Sequence, residues 1–164
     1  MSVAAADQLA TIAEIAVTVA GLAGIVAVLR PSSDKSGEDV RRIAYMVVVT
    51  SCVIVTSFLP SAFIDLGFSE VTALTFSCAV LGVSALFLDA VFIYNIVRGA
   101  LSIKFPKISF LIIIILSITG LSLILAASSI LLAASYGLLL IGEVVFVLLG
   151  LWLFFATFVW ARDI

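Results

Sequence analysis

Residues 108–133 read ISFLIIIILSITGLSLILAASSILLA, a stretch without a charged side chain. About twenty helical residues at 1.5 Å each cross the roughly 30 Å hydrocarbon layer of a bilayer, so this segment is long enough to span it. Inside it, Ile112 to Leu116 is apolar at every position. The strands of a transmembrane barrel are about ten residues long and alternate in polarity, so the run excludes a barrel and leaves an α-helical bundle. Five consecutive aliphatic side chains offer nothing to pack selectively, and much of this helix is expected to face lipid.

Four more stretches of the same kind surround it, at roughly 8–30, 42–64, 70–97 and 137–161. The chain as a whole is 65% hydrophobic and 11% charged, with a mean hydropathy of +1.42. A water-soluble domain carries about a quarter charged residues. The fold class is therefore an all-α integral membrane protein, a bundle of five transmembrane helices forming a single domain over 1–164. No connection exceeds about a dozen residues, so no extramembrane domain is expected. There is no internal repeat that would mark inverted halves.

The first stretch is not read as a signal peptide, because no Lys or Arg precedes Arg30 and its apolar length is too great. With five spans, the cations fall on one side: Arg30, Lys35, Arg41 and Arg42 at the first connection, Lys104, Lys107 and Arg98 at the third, and Arg162 at the end. Residues 1–7, 65–69 and 134–136, on the opposite side, contain no Lys or Arg. By the positive-inside rule the N-terminus is outside and the C-terminus inside. Helix ends carry local signals: Pro31-Ser32-Ser33 stops helix 1, Ser36 with Asp39 resembles a capping box, and Gly67 and Ser135-Tyr136-Gly137 make outer turns. Pro60 is read as a structural feature of helix 2.

Absences narrow the chemistry. Without a single His, His-ligated haem, zinc and copper and His-based acid–base catalysis are excluded. Cys52 and Cys78 are not in a CxxC arrangement and read as small apolar residues. No phosphate-binding loop or paired-acid metal motif is visible. No enzyme activity, cofactor or metal is expected, and no nucleic-acid partner.

What remains is three acids inside the apolar stretches, Glu14, Asp89 and Glu143, while all eight Lys and Arg lie at or beyond the ends of those stretches. A charge at the bilayer centre costs several kcal/mol, so an intramembrane acid is by default a functional-site candidate. In helix 1, Ala16, Ala20 and Gly24 recur every four residues as a helix-packing stripe, and Thr11, Glu14, Thr18 and Gly21 form a second row. Ile12, Ile15, Val19, Leu22 and Val26 make the greasy side. Two packable faces place helix 1 near the bundle centre or at a subunit interface. In helix 3, Thr75, Cys78, Gly82, Ala85 and Asp89 share a small, weakly polar face; in helix 5, Glu143, Gly150 and Thr157 follow a seven-residue spacing. Counted from the inner-end arginines at 1.5 Å per residue, Glu14 and Glu143 fall in the outer third and Asp89 near the middle or inner half.

A carboxyl without a counter-charge in low dielectric is favoured in its neutral form and is able to exchange protons. The leading expectation is thus an oligomeric proton or cation pathway, with Glu14 and Glu143 at its outer entrance and Asp89 as a deeper station. The alternative is a non-conducting interaction subunit or triggered membrane effector working with a membrane-protein partner. The expected partners are the lipid bilayer and further copies of the chain. The run Ile12-Ala13-Glu14-Ile15-Ala16-Val17-Thr18-Val19-Ala20-Gly21-Leu22-Ala23-Gly24-Ile25-Val26 resembles the opening helix of small bacterial membrane proteins. The resemblance covers that helix alone and implies a bacterial cytoplasmic membrane.

Overall fold

The computed structural model describes residues 3–29, 37–98, 106–128 and 134–160. They form five helices: α1 (Val3–Leu29), α2 (Gly37–Asp65), α3 (Glu70–Val97), α4 (Pro106–Ala127) and α5 (Tyr136–Trp160). Each contains a stretch long and apolar enough to cross a membrane. The chain is an integral membrane protein built as a five-helix bundle.

Three elements differ from the sequence expectation, the first being α1, which starts at Val3 rather than near residue 8. The helix expected at 42–64 starts at Gly37, which draws Arg41 and Arg42 into α2. Arg42 is only 4% exposed, so one cationic side chain that reads as part of a polar flank is buried in the first turns of α2. The described part of α4 ends at Ala127; its expected continuation to 133, together with Pro31-Ser32-Ser33 and Ser36, lies outside the described residues.

The α2–α3 and α4–α5 connections follow from local chemistry. Gly67, with φ of 90°, occupies a left-handed conformation that a side chain would strain, and it lets the chain turn between α2 and α3. Ser69 caps α3, its Oγ accepting the N–H of Thr72 at 3.2 Å. Ser135 does the same for α5 through the N–H of Leu138 at 3.3 Å. Pro60 lies inside α2 without ending it.

Each helix packs on the next in sequence, and α5 returns to touch all four others. Helix α1 touches only α2 and α5. The element at the centre is therefore α5; of the two places expected for helix 1, the bundle centre is corrected, since α1 lies at one edge and α4 at the other, while a subunit interface is not tested by a single chain. On α1 the buried row is Leu9, Ala13, Ala16, Val19 and Ala23. Val19, assigned to the greasy side by its own helix, packs inward near Gly150 of α5. Ala20 is half-buried and Gly24 exposed, so the proposed stripe turns away from the bundle as it runs inward. Between α3 and α4, Gly82 and Gly120 let the backbones approach until an added Cβ on either would sit 2.9 Å from a neighbouring side chain. An apolar groove of about 120 Å³ separates α4 from α5 around Ile115 and Leu148, and Ile114, Ile115 and Ile118 are exposed.

Candidate functional site

Glu143 and Asp89 both project into the bundle. Glu143 is completely buried. It sits about 10 Å along α5 from Tyr136, two turns in, and meets α2 where Thr56 and Ser57 are also buried. The Oγ of Ser57 donates to its Oε2 at 3.0 Å, and its Oε1 is buried without a hydrogen-bond partner. Cys78 of α3 and Tyr136 lie within electrostatic reach of it. The Tyr136 hydroxyl in turn donates to Oε1 of Gln8 on α1 at 3.0 Å.

Asp89 repeats the pattern on another pair of helices. It is 5% exposed, its Oδ2 accepts the hydroxyl of Ser117 from α4, and its Oδ1 is buried without a partner. Beside it lies a cavity of about 20 Å³ between Tyr45, Val49, Phe92, Leu116 and Leu149. A cavity above roughly 10–15 Å³ has room for a water molecule. Towards the C-terminal end of α3, Asn95 donates to the Tyr45 hydroxyl at 2.7 Å and to the Val91 carbonyl at 2.8 Å, and the Tyr45 and Phe92 rings meet edge to face at 6.0 Å.

Both acids therefore share one arrangement: a buried carboxyl, one oxygen held by a serine of a neighbouring helix, the other oxygen open. Leaving a buried polar atom unpaired costs about 1–3 kcal/mol. A serine hydroxyl both donates and accepts, so it can serve a carboxylate or, by turning, a neutral acid. Among the described residues no three His, Cys, Asp or Glu side chains converge. One carboxylate with one hydroxyl is a poor substitute for the several oxygen ligands a dehydrated cation takes, but it is sufficient to hold a proton.

The structure does not bring the two acids together. Asp89 lies at the level of Val49 on α2 and Leu149 on α5, while Glu143 lies at the level of Ser57. Six to eight residues along those helices separate the levels by about 9–12 Å. Val53 and Phe146, both fully buried, occupy that gap. The buried hydroxyls that flank it on α2, Thr50 and Thr56, are both engaged by their own helix, donating to the Met46 carbonyl at 2.9 Å and the Cys52 carbonyl at 2.8 Å.

Glu14 is placed differently. It is exposed, with Thr11, Thr18 and Gly21 on the same outward face of α1, and the Thr18 hydroxyl donates to the Glu14 backbone carbonyl at 2.9 Å rather than to its side chain. In the apolar part of α1, which follows Asp7 and Gln8 and runs to Leu29, it stands five residues from the first end. Among the small residues expected to pack against other helices, Ala16 is fully buried and Gly82 is in close helix contact, whereas a Cβ added at Gly150 would meet Thr50 Cγ2 at an ordinary 3.5 Å. The residues the sequence did not single out are Ser57 and Ser117. Hydroxyls are common in these helices, and only the rotation of one helix against another selects these two.

No protein-family model, curated protein or solved structure matches the chain.

Proposed function

We propose that this protein is a non-enzymatic proton pathway, in which Glu143 and Asp89 act as successive stations within one chain. The observation that carries the reading is the repeated arrangement of a buried carboxyl with one serine-bound and one open oxygen at two levels of the bundle. From outside inwards the polar groups run Gln8–Tyr136, Ser57–Glu143, Asp89–Ser117 and Tyr45–Asn95. The apolar interval at Val53 and Phe146 is the gate, because a proton passes it only when water enters. A proton is favoured over a metal cation, since among the described residues no further carboxylates converge on either acid. The N-terminus is outside and the C-terminus inside a bacterial cytoplasmic membrane, in keeping with the one-sided distribution of Lys and Arg.

The exposed Glu14 face favours a second reading, in which the chain is a non-conducting interaction subunit. Reconstitution into liposomes distinguishes the two. An entrapped pH-sensitive dye should report proton entry driven by a membrane potential, while sodium and potassium flux stays at the level of empty vesicles. Absence of proton entry at every pH and potential tested would leave the interaction reading.

A further inference from the structure

One face of α1 is left without a partner inside the chain. Asp7, Thr11, Glu14, Thr18, Gly21 and Ile25 are all exposed and follow one another at spacings of four, three, four, three and four. That is the seam of a left-handed helix pair, which repeats every 3.5 residues. Two features of this row are unexplained by packing within one chain. Glu14 points outward within an apolar stretch, where a carboxyl facing hydrocarbon is disfavoured. Gly21 and Gly24 have nothing within 4 Å of where a Cβ would stand, in contrast to Gly82, Gly120 and Gly142, each of which is filled by a neighbour at 2.9 Å. Glycine weakens a helix and is kept in membrane helices where another backbone approaches closely. Between α3 and α4 that reason is visible at Gly82, whose Cβ would meet the carbonyl oxygen of Gly120; Gly21 and Gly24 on α1 meet nothing within the chain.

We infer that this face is the contact between two copies of the protein, α1 against α1 in parallel about a twofold axis normal to the membrane. Copies in one membrane share one orientation, so in such a pair each residue of the row meets its own counterpart. The row suits that symmetry. A neutral carboxyl carries one donor and one acceptor, so two Glu14 side chains satisfy each other without any basic partner. Gly21 and the threonines on the same row, with Gly24 beside it, are small enough for close approach. A single polar position in such a seam also fixes its register.

Because Glu14 is exposed in the single chain, its replacement leaves the bundle intact. The test compares Glu14→Gln, whose amide keeps a donor and an acceptor, with Glu14→Leu, which suits lipid but pairs with nothing. Subunits are counted by single-molecule photobleaching in dilute liposomes. The wild type should dimerise, Glu14→Gln should stay within about threefold of it, and Glu14→Leu should weaken association at least about tenfold. In a Cys52→Ala, Cys78→Ala background, Thr18→Cys and Gly21→Cys should form disulfide-linked dimers on oxidation, and Phe87→Cys, on the exposed side of α3, should not. A monomeric wild type, Glu14→Leu dimerising as well as the wild type, or crosslinks from α1 that recover only a different membrane protein would overturn the inference.

Discussion

Replacing Gly82 by Ala adds one methyl group where α3 meets α4, and the surroundings decide the sign of the result. Its Cβ would stand 2.9 Å from Cγ1 of Ile124, 3.0 Å from the carbonyl oxygen of Gly120 and 3.0 Å from Cβ of Leu123. Carbon atoms rest about 3.5–4.0 Å apart. Ile124 can turn its side chain, but a carbonyl oxygen and a Cβ move only with the backbone of α4, so the helices must separate. Overpacking of this kind costs about 1–3 kcal/mol. Against it stands the better helix propensity of Ala, up to about 1 kcal/mol. The net expectation is a loss of about 1–2 kcal/mol. Gly150→Ala is the matched control, because its Cβ would meet Thr50, Val19 and Val49 at 3.5, 3.6 and 3.9 Å, ordinary contact distances. That substitution should be neutral or stabilising by up to about 1 kcal/mol. Titrating both variants with SDS in mixed micelles, with helix content followed by circular dichroism, measures the difference. Equal effects of the same sign would show that α3 and α4 do not approach as described.

Ser57→Ala removes the hydrogen bond to Glu143 and should destabilise the bundle by about 1 kcal/mol in the same titration, with no loss in a Glu143→Leu background. Cys78 is fully buried and Cys52 half-buried, so a membrane-permeant maleimide should label the native protein at Cys52 if at all, and reach Cys78 only after SDS; rapid native labelling of Cys78 would contradict the packing of α3. In a Cys52→Ala, Cys78→Ala background, Leu66→Cys, at a turn where Leu66 is 74% exposed, should react with an impermeant thiol reagent from outside intact cells. Reaction only after the cells are opened would reverse the proposed orientation.

The spans were legible because membrane thickness imposes a length and an apolar composition that no soluble helix of this chain would need. The face of α3 carrying Cys78, Gly82, Ala85 and Asp89 was legible too, since small and polar residues group there and all four are buried. Helix α1 was harder. In a membrane the exterior is as apolar as the interior, so periodicity does not tell a lipid-facing Val from a buried one. Val19 and Glu14 consequently exchanged the sides their own helix indicated. Ser57, Ser117 and the buried Arg42 depend on how neighbouring helices are rotated and where α2 begins, information that no single helix contains.

The central claim is that Glu143 and Asp89 lie in series on one proton route. Proton entry into liposomes should therefore be compared for the wild type, Asp89→Asn, Glu143→Gln and the double variant at equal protein density. A series route predicts that each single substitution lowers the flux at least about tenfold, the order expected for a positioned proton-transfer group, and that the double variant is no slower than the slower single one. Wild-type flux in both single variants, or losses that simply multiply in the double variant, would contradict it.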